Sequence, residues 1–129
     1  MLRGHTEMVR DVVFTPDGKA LLSSGKDGVI RVWDPEEGKL RTTLEGHKGL
    51  VRSLALTRDG KLLASAGRDG TLILWDVASG KEKASRQEGV LSFQTAAFAP
   101  DGKTLATGGI DRKVSLWDVA KLLEAGRGD

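Results

Sequence analysis

An all-β repeat array is the fold class that this sequence predicts. Asp-Gly recurs at 17–18, 59–60 and 101–102, and Trp-Asp at 33–34, 75–76 and 117–118, so two unrelated signatures step along the chain by the same 42 residues. Between them lie short apolar, β-branched runs bounded by turn residues, which is the pattern of strands. Three periods of 42 account for all but three of the 129 residues, making the chain a single array with repeats at about 4–45, 46–87 and 88–129.

In the first repeat, residues 9–14 read as a first strand, ended by Thr15-Pro16-Asp17-Gly18, where Asp bonds its own backbone and Gly supplies a positive φ. Residues 20–24 form the second strand, and Asp27-Gly28 offers the tight hairpin into the third, 29–33. After Pro35-Glu36-Glu37-Gly38, residues 39–44 are more polar, as expected of an outer strand wetted on one face. The second repeat copies the scheme at 51–56, 62–66, 72–75 and 82–87. The third gives strands at 94–98, 104–108 and 114–117, but its fourth strand would fall on Leu-Glu-Ala-Gly-Arg-Gly at 123–128, which has little β propensity. Residues 120–125 fit a short helical turn followed by a frayed tail.

The period, the Gly-His pairs at 4–5 and 46–47 and the closing Trp-Asp pairs together resemble the WD40 family, whose repeats each build one four-stranded propeller blade. The resemblance implies a partial WD40 propeller of about three blades, the last one incomplete. Propellers close with about four to eight blades, so the faces at both ends of this array are expected to stay open. Leu2-Arg3-Gly4-His5 aligns with Leu44-Glu45-Gly46-His47, so the chain begins on the last residues of a fourth strand. With no convincing strand at either end, the sequence reads as part of a longer propeller or as a self-associating chain.

Composition narrows the function classes. Glycine, at 17 residues, is well above average and concentrated at the turns. There is no cysteine, which excludes disulfides and thiolate metal sites. Residues 1–14 include Arg3, His5, Glu7, Arg10 and Asp11 and lack the apolar run of a signal peptide. No stretch has the length and apolarity of a membrane span, and the cytoplasm is the expected location. A net charge of +2, from 20 basic and 18 acidic residues, does not in itself point to nucleic acid.

His5, Ser23 and Asp27 are the residue types of a catalytic triad, and the same set returns as His47, Ser65 and Asp69. A nucleophile needs one exposed site, whereas this set repeats blade by blade. The family resemblance implies a hydrogen-bonded tetrad instead, completed by Trp33 and Trp75. The third repeat keeps Thr107, Asp111 and Trp117 but has Glu88-Gly89 in place of Gly-His, so Asp111 must find another donor. The aspartates at 17, 27, 59, 69, 101 and 111 come one per turn, unlike the gathered oxygens of a calcium loop, so no metal site is expected. Thr107-Gly108-Gly109-Ile110 lacks the lysine and helix of a phosphate loop, and no cofactor is expected.

In the family, binding falls on the rim formed by the loops before the first strands and the turns between second and third strands. Those positions are Thr6, Met8, Arg10 and Lys26 in repeat one, Lys48, Leu50, Arg52 and Arg68 in repeat two, and Val90, Ser92, Gln94 and Ile110 in repeat three. Two repeats are basic there and one apolar, with Val90, Leu91 and Phe93 forming a candidate contact loop. The expectation is a non-catalytic protein-recognition scaffold, not an enzyme, whose partner is an acidic or phosphorylated peptide. The alternative is a structural or regulatory part of a larger multidomain enzyme, with the chemistry on other sequence. Nucleic-acid binding through Arg10, Arg52 and Arg68 is disfavoured because Tyr is absent and aromatics for base stacking are few.

Overall fold

In the computed structural model, which describes residues 1–87 and 92–127, the strands assemble into three antiparallel sheets, one per repeat. The first comprises β1 (Val9–Phe14), β2 (Leu21–Gly25), β3 (Val29–Asp34) and β4 (Lys39–Glu45), in that order. The second repeats it with β5 (Val51–Leu56), β6 (Leu62–Gly67), β7 (Thr71–Asp76) and β8 (Lys81–Gln87), and the third has β9 (Phe93–Phe98), β10 (Thr104–Gly109) and β11 (Val114–Asp118). Strand positions agree with the expected ones to within a residue or so at each end.

The turns explain the agreement. Thr15 donates its hydroxyl to Asp17 Oδ1 at 2.7 Å, the same oxygen accepts the Lys19 N–H at 2.9 Å, and Gly18 supplies a φ of 72°. Thr57, Asp59 and Lys61 repeat this geometry, as do Asp101 and Lys103 in part. These bonds join residues at most five apart, so the turn geometry is set by its own short sequence.

The core lies between sheets. Ala20, Leu22, Ile30, Val32 and Leu44 of the first blade pack with Val51, Leu63, Ile73 and Trp75 of the second. The other face of the second blade, with Ala64, Ala66, Leu72 and Leu74, packs with Phe93, Ala96 and Leu105 of the third. Alternate residues of β6 and β7 thus serve opposite neighbours, which is why these strands are apolar on both faces. Equivalent positions differ in exposure between the first and third blades. Ile30 and Val32 are buried, whereas Val114 and Leu116, two periods on, stand 77% and 73% exposed.

Among the described residues the third sheet has three strands, and β11 is followed by a helix that packs back toward β8. α1 (Val119–Arg127) is longer than the short turn expected at 120–125, for two local reasons. Asp118 Oδ1 accepts the Lys121 N–H at 3.2 Å, an N-cap contact. Val119, Leu122 and Leu123 form an apolar stripe at helical spacing that packs into the core between the second and third blades, next to Ala84 of β8. Among the described residues no helix is long and apolar enough to cross a membrane.

Candidate functional site

In the second blade, Trp75 Nε1–H donates to Ser65 Oγ at 2.8 Å, and Ser65 Oγ lies 2.6 Å from His47 Nε2. The strand β7 carries the indole, β6 the hydroxyl, and the loop after β4 the imidazole, so three segments are tied at one buried oxygen. Asp69 does not join them through a hydrogen bond. Its Oδ1 accepts the Thr71 N–H at 3.0 Å, and His47 Nδ1, though buried, has no hydrogen-bond partner among the described residues. Burial in this apolar interface lowers the His47 pKa to about 4, with the Asp69 charge opposing only part of the shift.

The first blade has the same contacts, Trp33 to Ser23 at 2.8 Å and Ser23 to His5 Nε2 at 2.6 Å, plus a residue that the sequence reading missed. Arg31 Nη1 lies 2.8 Å from both His5 Nδ1 and Asp27 Oδ2, while Asp27 Oδ1 is 3.8 Å from the same imidazole nitrogen. The signal was available in the sequence: Arg31 is a charged residue on a third strand where the second repeat has Ile73. Burial and the Arg31 charge lower the His5 pKa. Burial works against ionised Asp27, but bonds from the Val29 N–H and from Arg31 outweigh it and lower that pKa too.

In the third blade Trp117 Nε1–H donates to Thr107 Oγ1 at 2.9 Å, and Asp111 Oδ1 accepts the Lys113 N–H at 3.1 Å. Glu88, Gly89, Val90 and Leu91 lie outside the described residues. Phe93, expected as a contact residue of that loop, is instead a core residue, 7% exposed and edge-on to Trp117 with centroids 6.4 Å apart. It is one period from Val51, a fully buried start of a first strand, and the same pleat turns it inward.

Backbone bonds fix the rim. Lys26 N–H donates to Met8 O, Arg68 N–H to Leu50 O and Ile110 N–H to Ser92 O, at 3.0, 2.9 and 3.2 Å, so each turn residue sits beside the start of its own first strand. Met8, Arg10, Lys26, Leu50 and Arg52 then line one groove between the first two blades. No carboxylate lines it, and among the described residues none of its cations is ion-paired. Arg52 Nε is buried with no acceptor among those residues. Lys48 and Arg68 are exposed nearby without lining the groove, and Ile110 stands 56% exposed on the third blade. A second hollow, with Lys103, Leu116, Trp117 and Leu123, flanks β11, which has no outer strand among the described residues.

Comparison with known proteins agrees with this architecture. Segments of 44 and 45 residues, each 34% of this chain, are 50% identical to the small ribosomal subunit protein RACK1z of Arabidopsis thaliana and 56% identical to the nuclear distribution protein PAC1-1 of Uncinocarpus reesii. They span only 14% and 10% of those relatives. The crystal structure of the RRP9 WD40 repeats superposes with a TM-score of 0.89 and 30% identity over 94% of this chain, which matches 38% of that one. The structure of U3-55K gives the same score and identity. The model of the WD domain, G-beta repeat, matches residues 1–34, 38–76 and 84–118, and with one blade standing at each match this chain belongs to the WD40 repeat family.

Proposed function

We propose that this protein is a non-catalytic recognition scaffold that binds an acidic or phosphorylated peptide in the rim groove between its first two blades. The observation that carries the reading is the groove's composition: Arg10, Lys26 and Arg52 converge with no carboxylate among them, flanked by apolar Met8 and Leu50. Guanidinium groups pair carboxylates and phosphates bidentately, and an acceptor supplied by a ligand would satisfy the buried Arg52 Nε. The Ser hydroxyls that resemble nucleophiles support a scaffold instead, because Ser23 and Ser65 are buried and already bonded to indoles. The cytoplasmic placement read from the sequence goes with this proposal.

Calorimetric titration of acidic and phosphorylated peptides into wild type and an Arg10→Ala, Lys26→Ala, Arg52→Ala variant, at two salt concentrations, tests it. Charge-assisted bonds contribute about 1.5 to 3 kcal/mol each when shielded and much less when exposed. The folded variant should therefore lose at least roughly tenfold in affinity. Unchanged affinity would exclude this groove as the site.

A further inference from the structure

The two end faces of the array are the two halves of an interface that the chain already makes twice within itself. Val9, Val12 and Phe14 are 48%, 56% and 59% exposed, yet their counterparts one period on, Val51, Leu54 and Leu56, pack in the core between the first and second blades. At the other end, exposed Val114 and Leu116 correspond to Leu72 and Leu74, which are buried against the third blade. We propose that a second copy of this chain covers these faces head to tail, the third blade of one copy seated on the first blade of the other. The proposal does not depend on what the rim groove binds.

Two further features specify the register. Within the chain, each first strand holds the next by a side-chain oxygen: Asp11 Oδ2 accepts the Leu54 N–H at 2.8 Å, and Ser53 Oγ accepts the Ala96 N–H at 3.2 Å. The next member of that series is Thr95, which is exposed and makes no side-chain hydrogen bond among the described residues. Its partner by repeat equivalence is the Val12 N–H of another copy, which here donates to its neighbour Asp11 Oδ1 at 2.9 Å.

Charge complements the register. Between the first two blades, a Cβ on Gly28 would lie 3.0 Å from the carbonyl oxygens of His47 and Gly49, so glycine faces glycine across the junction. Translated to the open ends, Gly28 becomes Arg112 and Gly49 becomes Glu7, both exposed. Arg112 holds a φ of 68°, the backbone form that glycine has at this turn, so it presents its side chain from the same position. The small pair inside the array is thus replaced by an oppositely charged pair at its ends. Two such chains would make about six blades, within the usual four to eight, whereas three would exceed it.

Sedimentation of the 129-residue chain over a concentration series up to high micromolar should show a species of twice 13.8 kDa. Val12→Glu and Leu116→Glu, both at exposed positions, should each stay folded by circular dichroism and weaken association by roughly tenfold or more. Mixed together they should regain a heterodimer, because one junction then joins two unaltered faces. Arg112→Glu should likewise weaken association, and Glu7→Arg added to it should restore it. A monomer at all concentrations, the result expected if blades outside this chain cover the faces, would overturn the proposal. So would a dimer that Leu116→Glu abolishes and Val12→Glu leaves intact, which is face-to-face pairing.

Discussion

Arg31 Nη1 lies 2.8 Å from His5 Nδ1, and the donor it offers there decides which imidazole nitrogen carries the proton. A guanidinium has no acceptor, so Nδ1 accepts and Nε2–H donates to Ser23 Oγ, which also accepts the Trp33 indole N–H. In the second blade Ile73 stands at the Arg31 position, and nothing imposes that tautomer on His47. Two networks that look alike in sequence therefore differ in charge and in what fixes the imidazole proton.

The first prediction follows from that contact. Arg31→Met keeps an apolar stem but removes the cation that opposes protonation of His5, leaving the Asp27 charge to favour it. The His5 pKa should rise, as read from the imidazole Cε1–H shift by NMR titration. No movement, or a fall, would show that burial alone sets it.

The second prediction separates the two aspartates. Asp27→Ala leaves Arg31, itself buried, without its 2.8 Å counter-ion, and should cost about 2 to 4 kcal/mol. Asp69→Ala removes a bond to the Thr71 N–H but no ion pair, and should cost about 1 kcal/mol. Urea titrations giving equal losses would mean that the Arg31–Asp27 pair adds nothing to the first blade.

These differences mark where the sequence could be read and where it could not. Strands and turns were legible because Thr15, Asp17 and Gly18 form their bonds within five residues, and the same bonds return at Thr57, Asp59 and Gly60. The Trp–Ser contacts were legible through the family resemblance. Phe93 was misplaced because an apolar residue beside a loop looks the same whether it faces a partner or the neighbouring blade. Its period-mate Val51 held the answer. The Arg31 contact depends on three segments meeting, a long-range fact that spacing alone does not encode.

The third prediction concerns backbone space around the second network. A Cβ on Gly67 would lie 2.8 Å from Asp69 Oδ1 and 2.9 Å from His47 Nδ1, in a region with both blade faces buried. Gly67→Ala should therefore destabilise by roughly 1 to 3 kcal/mol through overpacking. Gly49 has nothing within 4 Å of its Cβ position and no positive φ, so Gly49→Ala should stay within about 0.5 kcal/mol of wild type. Thermal unfolding of the pair checks the contrast, and a similar loss at both positions would show that local crowding at Gly67 is relieved at no cost.

Acid should weaken the fold first through its histidines. His47 titrates near 6.5 when unfolded and at about 4 when folded, because burial disfavours the cation. Between those values the unfolded chain binds the extra proton, so stability from the neutral imidazole is complete above about pH 6.5 and declines as the pH falls toward 4. The loss over that window is at most about 3 kcal/mol, and His5, whose pKa is lowered also, adds in the same direction. Carboxylates act in a lower window, since Asp17, Asp27 and Asp59 have folded pKa values below the usual 3.8 and lose their contribution only as they protonate. Urea midpoints measured from pH 7 downward should fall between about pH 6.5 and 4, and the fall should be shallower in His47→Gln. A His47→Gln variant with the wild-type slope would assign the acid sensitivity to His5 and the carboxylates.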